Sequence, residues 1–301
     1  MLKVKIKDIE FSSPIIAASG TFGYGDEVSK LVDLNKIGCI ITKSITHENR
    51  EGNAHPRIHE SSSGMLNSIG LANVGVVNFC KQKLPKLNTI KTKFIISIAG
   101  STFEEYQSVL NTIESANGEH VGYEINVSCP NVKAGGMEFG INHDIIFNLV
   151  SELRKLTNKL LIVKLSPNVT DIEKIAASSE RAGADAISAI NTLQGLAIDS
   201  KSGNFLLSTK FGGLSGPAIK PIALAKVFKI YNNVKIPIIG MGGISSVSDI
   251  VEFLRVGSAM VQIGTVNYRD PSLISKLYDQ MLNFMKENNI NKITDLTGDY
   301  K

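Results

Sequence analysis

No stretch of this chain approaches the roughly 18 consecutive apolar residues of a membrane-spanning helix. Its longest apolar runs are strand-sized, and residues 1–8 (MLKVKIKD) alternate polar and apolar like an edge strand rather than an export leader. Cysteine is scarce. Cys39, Cys80 and Cys129 are far apart and odd in number, which excludes a disulfide framework and points to a reducing, cytoplasmic setting. No C-x-x-C pair is present, so no iron–sulfur cluster is expected on this chain. The net charge of +4 is spread out, without a Lys/Arg block or interleaved aromatics, which disfavours nucleic acid and leaves small anions as ligands. No G-x-G-x-x-G follows a strand with an acidic residue about twenty positions later, so NAD is not expected to bind here in the Rossmann manner.

What is present is a long alternation. With 301 residues and 43% hydrophobic content the chain can bury a sizeable core. Eight apolar, strand-like runs occur at 14–20, 39–45, 94–100, 123–129, 161–167, 186–191, 236–243 and 260–265. Between them lie amphipathic stretches at 103–116, 145–156, 172–182, 218–231, 247–256 and 272–286. Thr102 with Glu105 and Thr170 with Glu173 have capping-box spacing, and Gly183 and Gly257 fit helix stops. Cys39 and Cys80 fall in a strand run and a helical run and read as core. Runs apolar on both faces imply a parallel sheet, and eight βα units in this length predict a (β/α)8 barrel, with a doubly wound sheet as the alternative.

The unusual residues sit at the ends of the runs: Ser19-Gly20, Lys43-Ser44, 97–100, 126–129, Lys164, Asn191-Thr192, Gly242-Gly243 and Gly264-Thr265. In a barrel those ends converge on the face that carries the active site. Three connections there are long, at 46–70, 130–141 and 193–216, and read as lids, capping strands or partner surfaces. Glycines at the ends of runs seven and eight suit a phosphate meeting backbone N–H groups. The segment Asn126-Val127-Ser128-Cys129-Pro130-Asn131 is the most reactive in composition: cysteine prefers apolar burial, yet this one lies among amides before a proline. The H-x3-H of His55 and His59 lies in a loop without a nearby third ligand, and no metal is expected there.

The motifs 67–71 (NSIGL), 126–131 (NVSCPN), 163–167 (VKLSP), 213–218 (GLSGPA) and 240–243 (GMGG) together resemble those of the class 1 dihydroorotate dehydrogenases, and the likeness spans almost the whole chain. Cysteine at 129, where the membrane-linked class 2 enzymes carry serine, is similar to class 1, and Asn131-Val132-Lys133 with Gly135-Gly136 resembles the class 1B catalytic subunit. The resemblance implies one flavin-binding barrel domain over 1–301 that binds FMN and oxidises dihydroorotate to orotate in pyrimidine synthesis. It implies Cys129 as general base. It places substrate against Lys43, Asn67, Ser68, Ile69, Gly70, Leu71, Asn126, Asn131, Asn191 and Thr192. It places flavin against Ser19, Lys43, Ser44, Ser97, Asn126, Lys164, Ile190, Gly216, Gly242, Gly243, Gly264 and Thr265. Lys164 would lie near flavin N1 and O2. Ser97 stands where the family commonly has a longer asparagine.

Class 1B implies a heterotetramer in which a partner subunit carries FAD and a 2Fe–2S cluster and passes electrons to NAD. Other readings are a class 1A homodimer reducing fumarate, a dihydropyrimidine dehydrogenase-like domain, a Schiff-base aldolase using Lys164 or Lys43, and a non-catalytic scaffold subunit.

Overall fold

The computed structural model of the chain describes residues 1–28, 31–127, 133–134, 137–138 and 142–301. In chain order its strands are β1 (Val4–Ile6), β2 (Ile9–Phe11), β3 (Ile15–Ala17), β4 (Cys39–Ile41), β5 (Ile58–Ser61), β6 (Gly64–Asn67), β7 (Lys93–Ile98), β8 (Gly122–Asn126), β9 (Lys133–Ala134), β10 (Met137–Glu138), β11 (Leu160–Leu165), β12 (Ala186–Ala189), β13 (Leu193–Leu196), β14 (Phe211–Ser215), β15 (Ile238–Met241) and β16 (Ser258–Ile263). Eight of them, β3, β4, β7, β8, β11, β12, β15 and β16, close into an all-parallel barrel, each hydrogen-bonded to the next in the chain and β16 to β3. These are the eight apolar runs. All six residues of β11 are buried, as a strand covered on both faces requires.

Helices at Phe103–Glu114, His143–Leu156, Ile172–Arg181, Lys220–Tyr231, Val247–Arg255 and Leu273–Glu287 occupy the six amphipathic stretches. In His143–Leu156 the buried residues Ile146, Leu149, Val150 and Leu153 recur at helical spacing and face the barrel. Thr102 caps its helix by accepting from the Glu105 N–H, while the Glu105 carboxylate accepts from the Ser101 N–H. The expected box at Thr170 and Glu173 does not form: the helix begins one residue later, at an Asp171 cap that makes no side-chain cap bond. Asp171 pairs instead with Lys174. A reciprocal box forms at Ser246 and Asp249. Gly183 and Gly257 follow the ends of their helices with positive φ, as expected of stops. Cys39 is buried in β4, and Cys80 is only partly buried.

The antiparallel β1–β2 hairpin closes the N-terminal end of the barrel, where Lys7 reaches the Asn158 carbonyl and Asp185, just ahead of β11 and β12. At the opposite end, two of the long connections build a four-stranded antiparallel sheet ordered β13-β14-β6-β5. It stands over the C-terminal face of the barrel and forms a wall of the site. No helix among the described residues is long and apolar enough to cross a membrane.

Candidate active site

A cleft of about 1390 Å³ lies between the C-terminal ends of the barrel strands and the four-stranded sheet. Its wall on the sheet side is residues 67–71, which leave β6 at Asn67. This turn is pinned from several directions: Ser68 N–H donates to the Arg57 carbonyl, Asn53 N–H to the Ile69 carbonyl, and Asn53 Nδ2 to the Ser68 carbonyl. Asn73 then holds the exit, donating to the Leu71 carbonyl and to Thr46 Oγ1 while its Oδ1 accepts from the Thr46 and Gly75 N–H groups. Gly70 and Leu71 both have positive φ, a conformation that strains a leucine and that these anchors over-determine.

The floor is a run of short polar side chains at strand ends, with Ser97 buried beneath it. Ser97 Oγ on β7 lies 2.8 Å from Ser44 Oγ, Asn126 Nδ2 on β8 donates to Ser44 Oγ at 3.3 Å, and Asn191 Nδ2 donates to Asn126 Oδ1 at 3.4 Å. Tyr106 OH donates to the Asn126 carbonyl and fixes the end of β8 from behind. Thr192 donates its N–H to Asn191 Oδ1, and Asn168 Nδ2 donates to the Thr192 carbonyl. The result is a hydrogen-bonded row of amides and hydroxyls that can exchange hydrogen bonds with the edges of a planar ligand.

Among the described residues, four cations line the cleft, Lys43, Arg57, Lys164 and Arg269, against the one carboxylate of Glu60. Arg269 pairs with Glu60 at the mouth. Burial, and then the nearby Arg57 charge, push the Lys43 ammonium below its ordinary value, with Glu27 opposing. A bound anion would relieve that repulsion. Lys164, at the end of β11, is buried and faces Glu124 at 3.7 Å.

The far end of the cleft is lined by Gly216, Gly242, Gly243, Gly264 and Thr265. Gly242 and Gly243 have φ of 129° and 77°, and a Cβ on Gly243 would lie 2.8 Å from the Gly216 carbonyl oxygen. The backbone there must be bare. The start of the helix Val247–Arg255, in contrast, is already satisfied from within: Asp249 accepts from the N–H groups of Ser245 and Ser246 and from Lys220 at 2.6 Å. Burial alone would raise the Asp249 carboxyl, but Lys220 and these hydrogen bonds hold it below the usual carboxylate range. An anion would therefore meet the glycine peptides ahead of the cap rather than the helix end itself.

Of the residues expected at the site, Ser19, Lys43, Ser44, 67–71, Asn126, Lys164, Ile190, Asn191, Thr192, Gly216, Gly242, Gly243, Gly264 and Thr265 line this one cleft. Ser97 does not line it. Fully buried, it reaches the site through Ser44, because a serine at that strand position is too short to extend further. Cys129 and Asn131 lie outside the described residues. Sequence reasoning missed Asn53, Arg57 and Asn73, whose positions on the loop carry no local signal. It also missed Glu124 and Gln262. These had a signal, a polar residue inside an otherwise apolar strand run.

The family profile described as dihydroorotate dehydrogenase matches residues 1–285. The chain is 46% identical over 297 residues to "Dihydroorotate dehydrogenase B (NAD(+)), catalytic subunit" of Geotalea uraniireducens, covering 99% of this chain and 97% of that protein. It is 45% identical over 300 residues to the protein of the same name from a Thermoanaerobacter species, covering 100% of this chain and 99% of the relative. The Bacteroides thetaiotaomicron protein of that name is 44% identical over 297 residues, covering 99% and 98%.

Proposed function

The chain belongs to the dihydroorotate dehydrogenase family, and we propose that it oxidises dihydroorotate to orotate in pyrimidine synthesis as the catalytic subunit of an NAD-linked, class 1B enzyme. The observation that carries this reading is the joining, in one cleft, of a bare glycine end, a buried lysine and a row of Asn and Thr residues at the strand ends. Three residues beyond the end of β8 stands Cys129.

We take the cofactor to be FMN. What supports it is the donor set: glycine peptides at 242–243 and 264–265 for a phosphate, Ser44 and Asn126 along the floor, and Lys164 as a fixed cation for the part of a ring that gains negative charge. The bound flavin supplies an acceptor for two electrons. The chain's own residues do the remaining work. Asn67, Asn126, Asn191 and Thr192 orient the pyrimidine by its carbonyl and N–H edges, and Lys43 with Arg57 favours its carboxylate. Cys129 as thiolate removes the C5 proton while the C6 hydrogen leaves with its electron pair, so the substrate loses two electrons and two protons' worth of hydrogen and the C5–C6 double bond forms. A thiol's ordinary pKa of about 8.5 is near enough to neutrality for this task if neighbours lower it modestly.

The electrons would leave through a second subunit that carries FAD and a 2Fe–2S centre, in a heterotetramer; the name "catalytic subunit" carried by the relatives supports a separate partner. The test is to mix the purified, FMN-loaded chain anaerobically with dihydroorotate and follow the flavin absorbance. Bleaching without any partner is expected. A flavin that stays oxidised, or rapid turnover with fumarate by the lone chain, would refute the substrate or the class respectively.

A further inference from the structure

Glu124 lies in the middle of β8, fully buried, where an aliphatic residue would pack. Its Oε2 accepts from Gln262 Nε2 at 2.6 Å and from Ser188 Oγ at 3.0 Å, and its Oε1 faces Lys164 Nζ at 3.7 Å. Gln262 is on β16, four strands away in a ring of eight, so the carboxylate is held across the full width of the barrel interior. Ser188 is on β12, and its register partner on β11 is Lys164 itself. Three strands thus converge on one carboxylate beneath the cleft. Lys164 and Gln262 line the cleft floor above it.

A buried ion pair of this kind is a weak stability device, because desolvating both charges costs about as much as their attraction returns. Barrel interiors are ordinarily filled with branched aliphatic side chains. The placement is better explained by what lies above. A cation that is to stabilise negative charge in a ligand must be held in place, and its own charge sets how strongly it favours the charged form of that ligand.

We infer that Glu124 is a positioning residue. Braced by Gln262 and Ser188, it fixes the Lys164 ammonium at the cleft floor and offsets part of its charge. By doing so it limits how far the site favours reduced over oxidised flavin. This rests on the flavin reading given above.

The experiment is to measure, by anaerobic dye equilibration at neutral pH, the midpoint potential of FMN bound to the wild-type chain and to the variants Glu124→Gln and Glu124→Asp. Together with the potential of free FMN this gives the ratio of affinities for reduced and oxidised flavin. Glu124→Gln keeps shape and removes charge; the ratio is expected to rise about tenfold, which is ~30 mV for a two-electron couple. Glu124→Asp keeps the charge and is expected to stay within about twofold of wild type. Should Glu124→Gln fail to fold, Gln262→Met, which removes the 2.6 Å donor at similar volume, is expected to move the ratio about threefold in the same direction. An unchanged ratio in a folded, FMN-loaded Glu124→Gln or Gln262→Met chain overturns the inference, as does an equal shift in the Asp and Gln variants. That last result would assign the effect to packing. A wild-type chain that takes up no FMN overturns the flavin reading instead, and this inference with it.

Discussion

Acid should destabilise this protein through one buried histidine at the end of the barrel opposite the cleft. His120, 3% exposed, lies just ahead of β8, with Nε2 2.8 Å from Tyr123 OH. Tyr123 OH donates to Glu114 Oε1 at 3.0 Å, which also accepts from Thr157 Oγ1, while Glu114 Oε2 accepts from Lys159. Burial, and then the Lys159 charge, push the imidazole from 6.5 down to about 4. A histidine depressed in the folded state is neutral there between those values, while the unfolded chain already carries the proton. Stability is therefore complete above the unfolded pKa and is lost as pH falls through 6.5 towards 4. At about pH 5 the linkage amounts to about 2 kcal/mol relative to about pH 7.5, and to about 3 kcal/mol once pH falls below both values. The assay is urea unfolding of wild type and His120→Gln at the two pH values. The variant is expected to be less stable at neutral pH, through lost packing, and to show a smaller acid loss by about 2 kcal/mol. Equal acid losses in the two proteins would refute the reasoning. The result also bears on activity, because a stability term at acid pH must be separated from titration of the proposed base, Cys129, before a pH–rate profile is read.

Three further outcomes are expected. Cys129→Ala should slow flavin reduction by dihydroorotate at neutral pH by about 10²–10⁴-fold while FMN stays bound, and stopped-flow absorbance would record it; in wild type the reduction rate should rise with pH through the thiol's pKa and then level off. Gly243→Ala forces a side chain onto a backbone with φ of 77° and a Cβ 2.8 Å from the Gly216 carbonyl oxygen. Its strain of about 1–2 kcal/mol, placed at the proposed phosphate end, should weaken FMN binding at least severalfold, measured by flavin fluorescence quenching. Ser246→Ala removes the cap on the Asp249 N–H and should cost about 1 kcal/mol in unfolding free energy, with little change in substrate affinity.

Much of the architecture was legible in order along the chain. The eight apolar runs are eight strands because a strand covered on both faces must be apolar throughout, and that property is local. Glycine after a helix and the hydroxyl at Thr102 announce themselves for the same reason. The Thr170 cap failed because capping spacing is a permission rather than a commitment: Asp171 one residue on competes for the same position. The cleft residues at strand ends were readable as a set, since a parallel barrel brings all such ends to one face whatever their sequence separation.

Other features are decided only in three dimensions. That residues 58–67 and 193–215 would pair into one sheet depends on contacts between segments more than a hundred residues apart, with β6 registered against β14. That Ser97 stops short of the cleft depends on Ser44 standing in front of it. That Glu124 meets Gln262 depends on the closure of the barrel, which turns two residues 138 apart in sequence into partners across its axis. Sequence determined which residues are polar, apolar or conformationally free, because those are properties of single side chains and their near neighbours. Tertiary structure decided which of them share one dielectric environment, and so which charges are paired, which are held at the cleft floor and which histidine stays neutral.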